Sequence, residues 1–284
     1  MMKTHSTKKR SINGIFLLDK PSGFTSNAAL QKVKMIFRAQ KAGHTGSLDP
    51  LATGMLPICF GQATKLSQFL LDSDKTYRVS MLLGVKTATG DKEGDILERH
   101  VVPTLTREAI DRAFDAFRGD IQQVPSMFSA LKHQGQPLYK LARQGITVER
   151  PARTVTVYDL TVTDFQPEHN VIEFDLKCSK GTYVRTLVDD FGTALQCGAH
   201  VTALRRLDVG PYPEERMVTL AELESMRDDL AKLDQYLLPT STSVSALPTV
   251  ELTESMVFYV RQGQRVMLAN TGLSGLVRIK NKKG

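Results

Sequence analysis

Asp49 lies in the run Gly43-His44-Thr45-Gly46-Ser47-Leu48-Asp49-Pro50-Leu51-Ala52-Thr53-Gly54. Glycines let backbone approach a ligand closely, and a proline beside an acid fixes the direction in which the carboxylate leaves the chain. The functional reading is a carboxylate aimed at a bound molecule. The structural reading is an Asx turn at Asp49-Pro50, and spacing alone does not separate the two. His44 in the same run serves equally as a surface hydrogen bonder, and a metal site built on His44 and Asp49 would need further ligands that no nearby His/Glu cluster supplies. Two other side chains could take part in chemistry, Tyr77 at the start of an alternating segment and Arg185 near the start of a helical one. Packing explains the first without any ligand, and reach toward phosphate or solvent explains the second.

The elements that must position these residues are legible in the hydrophobic periodicity. Residues 15–18, Ile-Phe-Leu-Leu, form a short apolar strand ending in the turn Asp19-Lys20-Pro21-Ser22-Gly23. Thr25 or Ser26 then caps a helix with Leu30, Val33 and Phe37 on one face. Glycine and proline predict irregular backbone over 43–54, and the alternation of Tyr77, Val79, Met81, Leu83 and Val85 predicts a strand over 76–85. Gly90, Asp91 and Gly94 form a loop, and Thr106 opens a helix with Ile110, Ala113, Phe114 and Phe117 on its apolar side. Strands are expected near 154–163 and 171–178. A helix follows Lys180-Gly181-Thr182-Tyr183, striped by Val184, Leu187, Val188, Phe191 and Leu195 and stopped at Gly198. Thr219-Leu220-Ala221-Glu222 is a capping box. Residues 239–248 read as a linker, and 249–284 as a small strand-like piece. Strands occur in pairs as often as they alternate with helices, so the class is α+β.

The net charge of +7 resides at the ends. Without Lys3, Lys8, Lys9, Arg10, Arg278, Lys280, Lys282 and Lys283, 29 bases face 30 acids. Local basic stretches remain at 27–48 (Lys32, Lys34, Arg38, Lys41) and 122–154 (Lys132, Lys140, Arg143, Arg150, Arg153), as phosphate binding requires. Residues 219–236 are acidic. Three cysteines without C-x-x-C spacing suit a reducing compartment and give no zinc signature. No apolar run reaches the length of a bilayer span, and residues 1–14 lack the apolar stretch of a signal peptide, so a cytoplasmic protein without membrane attachment is expected.

The run around Asp49 resembles the H-x-G-x-L-D-P-x-A-x-G signature of TruB-type pseudouridine synthases, and four further segments agree in order. Gly14 through Ser26 is similar to the family's G-x-x-x-x-D-K-P-x-G-x-T-S, and Lys75-Thr76-Tyr77 to its K-x-Y. Thr87-Ala88-Thr89-Gly90-Asp91 is similar to T-x-T-x-D, and Cys178 through Leu187 to C-S-K-G-T-Y-I-R-T-L. Ser126 departs from the pattern, standing where many members carry a second proline after Pro125.

This resemblance implies a pseudouridine synthase fold, α+β, with a mixed and largely antiparallel central sheet flanked by helices. Its catalytic domain would span 11–238 with an RNA-binding insertion near 122–153. A PUA-like β segment at 249–284 would follow, lacking closing strands. Asp49 would attack the target uridine at C6 or C1′, Arg185 would pair with that nucleophile, and Tyr77 would lie against the uracil. His44, Tyr183 and Leu204 would line the uridine pocket. Lys20, Lys132, Arg143 and Arg153 are the cations expected along the RNA backbone. The implied substrate is the uridine at position 55 in the T arm of tRNA, extruded from its stack. Neither metal nor organic cofactor is implied, nor a protein partner, and the chain is expected to be a monomer. A non-catalytic RNA-binding or tRNA-folding module is the alternative.

Overall fold

The computed structural model describes residues 8–268 and 272–281. Lys3, Lys282 and Lys283 of the basic ends lie outside the described residues. A nine-stranded mixed sheet organises the chain. Its strands are β1 (Gly14–Lys20), β2 (Ala42–His44), β3 (Thr53–Phe60), β4 (Lys75–Leu83), β5 (Gly119–Gln123), β6 (Arg153–Gln166), β7 (Val171–Cys178), β8 (Ala199–Val209) and β9 (Val218–Thr219). They lie side by side in the order β9-β1-β3-β8-β4-β7-β6-β5, with β2 also paired to β3. Within this sheet, among the described residues, only β1/β9 and β3/β8 pair in parallel.

Both faces of β1 are covered, which is why its sequence is almost uniformly apolar. Phe16 and Leu18 enter the main core beside α1 (Ser26–Ile36), whereas Ile15 and Leu17 join a smaller core with Met55, Cys59, Leu70 and Tyr212. Helices α2 (Arg107–Asp115) and α3 (Val184–Ala194) cover the main face further along, where Phe114 meets Phe174 and Phe191 edge-on. Thr25, Thr106 and Thr219 cap their helices as the sequence predicts, Thr219 reciprocally with Glu222 at the start of α4 (Leu220–Ser225).

Several expectations require correction. Residues 43–54 are not wholly irregular, because their two ends belong to β2 and β3. Helix α3 ends before Gly198, where Gln196 takes the left-handed conformation (φ 55°). Residues 239–248 are not a free linker. A 3-10 turn at Thr240–Val244 buries Ser243, and Thr242 bonds the Tyr212 hydroxyl at 2.7 Å. Residues 249–284 contain a helix, Glu254–Arg261, beside the parallel strands Thr249–Leu252 and Arg278–Asn281. The basic face of α1 is partly answered by the acidic segment, through Lys32–Glu224 at 3.7 Å and Arg38–Asp228 at 3.9 Å.

One register row crosses four adjacent strands: Lys20 on β1, Gly54 on β3, Arg206 on β8 and Tyr77 on β4. Gly54 has φ 93°, and a Cβ there would lie 2.2 Å from the Arg206 carbonyl oxygen. Gly54→Ala therefore combines left-handed strain with a backbone clash and should cost about 2–4 kcal/mol in urea unfolding. A loss under about 1 kcal/mol would show that β3 and β8 can separate freely.

Candidate active site

The segment after β1 holds the Asp49 loop in place. The Ser26 hydroxyl bonds both the amide and the carbonyl of Leu48, at 2.7 and 3.1 Å. Gly23 N–H donates to the Pro50 carbonyl at 2.8 Å, and Ser22 Oγ to the Leu51 carbonyl at 3.2 Å. Lys20 completes this frame and corrects an expectation. Its side chain is 0% exposed, and its Nζ donates to the carbonyls of Phe24 (2.8 Å), Pro21 (2.9 Å) and Pro50 (3.4 Å). It cannot lie along an RNA backbone. Burial lowers its pKa to about 8, against the opposing pull of Asp49.

Asp49 meets Arg185 Nε at 2.9 Å. The Asp49 side chain keeps 39% of its surface open while that of Arg185 keeps 6%, so the acid is reachable and its partner is enclosed. All three guanidinium nitrogens are engaged. Nη1 donates to the Thr89 carbonyl at 2.5 Å and faces Asp91 at 3.5 Å, and Nη2 donates to the Phe128 carbonyl at 2.8 Å. Asp91 accepts in turn from Thr89 Oγ1 and Glu93 N–H. Burial pushes the Asp49 pKa above the usual carboxylate value, Arg185 pulls it back, and Asp91 adds to the rise.

A cleft of about 340 Å³ opens at Asp49, within the size range of small-ligand sites. Tyr77, Tyr183, Arg185, Leu204 and Arg206 line it. Tyr183 is fixed from behind, since the buried Gln123 side chain both donates to its carbonyl and accepts from its amide. His44 is not among the lining residues. It sits on β2 with a buried Nδ1 that has no hydrogen-bond partner, and burial lowers its pKa. Lys132 and Arg143 are exposed and Arg153 is half-buried over the Tyr183 ring, so these three remain accessible.

Sequence reading missed four participants. Asp91 had a signal, as the acid closing the T-x-T-x-D segment, and Arg206 follows Leu204 by two residues, on the same strand face. Ser129 lines the cleft with a buried, unpartnered hydroxyl. Neither it nor Gln123 stands out in composition or periodicity. Among the described residues no group of three or more His, Cys, Asp or Glu side chains is arranged to hold a metal ion, and no helix is long and apolar enough to cross a membrane.

The reachable carboxylate, its enclosed arginine and the tyrosine of the same cleft all lie within the 34–245 stretch that models of one family match. The TruB family pseudouridylate synthase N-terminal domain matches residues 34–184, and two TruB C-terminal domains match 185–245 and 248–284. The chain belongs to the TruB family of pseudouridylate synthases and is an isomerase. It is 58% identical over 276 residues to the tRNA pseudouridine synthase B of Coxiella burnetii strain RSA 493, covering 96% of this chain and 89% of that one. It is 55% identical over 282 residues to the protein of the same name from Yersinia pestis strain Pestoides F, covering 96% and 86%. Among solved structures it resembles a Cbf5-Nop10-Gar1 complex chain (TM-score 0.69, 29% identity, 88% of this chain and 67% of that one). It also resembles a chain of an H/ACA RNP bound to a substrate RNA containing 2′-deoxyuridine (TM-score 0.69, 26% identity, 95% and 75%).

Proposed function

We propose that this chain converts the uridine at position 55 in the T loop of tRNA to pseudouridine, with Asp49 as the nucleophile. The observation that carries this reading is the 2.9 Å contact between a solvent-reachable Asp49 and an enclosed Arg185 at the wall of the cleft. A carboxylate so paired remains available as an anion to attack C6 of the base or C1′ of the ribose. The reaction is an isomerisation. The N1–C1′ bond breaks, a C5–C1′ bond forms, one proton leaves C5 and one is gained at N1.

Tyr77 and Leu204, both in the cleft lining, would flank the uracil as it turns, and the Tyr77 hydroxyl would serve the proton step at C5. Tyr183 supplies a further wall, and His44 ends the strand that leads into the Asp49 loop. Extruding the base costs a few kcal/mol of stacking, offset by phosphate contacts beside the cleft. Lys132, Arg143 and Arg153 supply those contacts, on or beside the insertion. A neighbouring cavity of about 580 Å³, sharing Arg185 and Phe128 with the cleft, gives room for flanking nucleotides. Three free thiols accord with action in the cytoplasm, and the chain works as a monomer.

Incubation with an unmodified tRNA transcript, followed by carbodiimide treatment and primer extension, tests the reading. A single new stop reporting position 55 is expected. A stop elsewhere would reassign the target, and the absence of any stop with confirmed tRNA binding would leave only the RNA-binding module.

A further inference from the structure

Arg206 is a buried cation that the account so far leaves unused. Its residue exposure is 2%, and among the described residues no carboxylate lies within ion-pair distance. Its Nε donates to the Met55 carbonyl at 2.7 Å and its Nη2 to the Gly46 carbonyl at 2.9 Å. Enclosing an unpaired guanidinium is costly, and two neutral donors would satisfy the same carbonyls. The charge therefore calls for a reason beyond support of the loop.

The register supplies one. Arg206 stands directly opposite Tyr77 across β8 and β4, so the two side chains leave the same face of the sheet as neighbours. Both side chains line the cleft that Asp49 enters. One guanidinium thus holds the carbonyl of Gly46, three residues before Asp49, and shares the cleft with the phenol of Tyr77.

We propose that Arg206 is a positioning residue for the isomerisation, holding the Asp49 loop by its backbone and setting a fixed positive charge beside Tyr77, which carries the proton at C5. The inference rests on the role given to Tyr77 above. Burial raises the pKa of this phenol, and so do Cys178 on β7 and Asp49 in the loop. Arg206 opposes all three by its charge. Lys75, on the strand of Tyr77, directs its ammonium to the carbonyls of Leu70 (3.2 Å), Leu71 (2.7 Å) and Ser73, and Arg185 is occupied by Asp49 and Asp91. Without Arg206 the phenol would ionise at higher pH.

The test compares Arg206→Lys, Arg206→Gln, Tyr77→Phe and the double variant Tyr77→Phe/Arg206→Gln in single-turnover conversion of a tRNA transcript across pH. Ultraviolet titration of each against Tyr77→Phe isolates the phenol. Arg206→Gln should slow conversion about 10- to 100-fold at neutral pH, as expected when a general acid–base group is compromised. It should also move the Tyr77 titration to higher pH, with Arg206→Lys restoring part of both. In the Tyr77→Phe background the same change should cost less than about threefold, because the two residues act as a unit. Multiplicative losses in the double variant, or an unshifted phenol titration in Arg206→Gln, would overturn the proposal. Full activity of Tyr77→Phe would instead sink the role of Tyr77 itself, whatever Arg206 does.

Discussion

Asp49→Asn is expected to abolish pseudouridine formation, by about ten-thousand-fold or more, while leaving tRNA affinity within about threefold of wild type. The amide fits the space of the acid but cannot form a bond to C6 or C1′. Stability should move the other way. The Asp49 pKa is raised in the fold, so the folded protein favours the neutral form. Ionisation therefore subtracts stability as pH rises through the unfolded-state value, and the full penalty is present above the folded one. A neutral isostere avoids that penalty, and Arg185 retains Asp91 and two carbonyls. The melting temperature at neutral pH should equal or exceed that of wild type. The same shift fixes the acid limb of the rate: activity should fall as pH drops through a midpoint above the ordinary carboxylate value. Measurable turnover in the variant would remove the nucleophile from the scheme.

Arg185→Met should harm both chemistry and fold. It removes the cation between Asp49 and Asp91 and strands two carbonyl oxygens in the interior. Breaking a buried pair from one side costs about 3–5 kcal/mol. With its main stabilising partner gone, Asp49 becomes still more basic and spends less time ionised at neutral pH. A rate loss of about a thousandfold or more is expected in single turnover, comparable to removal of a preorganised charge partner. Arg185→Lys keeps the charge but lacks the planar fork that serves Asp49, Thr89 and Phe128 together, and should recover only part of either loss. A near-wild-type rate in the methionine variant would show that the pairing is incidental.

Much of this arrangement is legible in the residues, and the exceptions have physical causes. Caps at Thr25, Thr106 and Thr219 are local chemistry, so short-range patterns reveal them. The strand around Tyr77 betrays itself by alternation because one of its faces is buried. Asp49, Tyr77 and Arg185 lie far apart in sequence, and only their joint occurrence in matching segments linked them; the fold then placed them at one cleft. Lys20 misled for the opposite reason. Beside a turn it resembles a surface cation, and no pattern shows that three carbonyls from Pro21, Phe24 and Pro50 converge on it. The parallel pairing of β3 with β8, which brings Arg206 beneath the loop, joins residues about 150 positions apart and leaves no periodic trace. Residues 240–244 looked like a linker because their side chains are small and polar, yet small size is what lets them pack against Tyr212.

Loops ordinarily open one by one, at free energies well below that of global unfolding. Three of them, at Asp49, at Thr89–Asp91 and at Phe128, share a single enclosed guanidinium at the cleft and the cavity beside it. Releasing any one uncovers a charge that the others must then solvate alone. Their amides should consequently exchange with solvent deuterium as one cooperative block, which means that the shape receiving the nucleotide is in place before the nucleotide arrives.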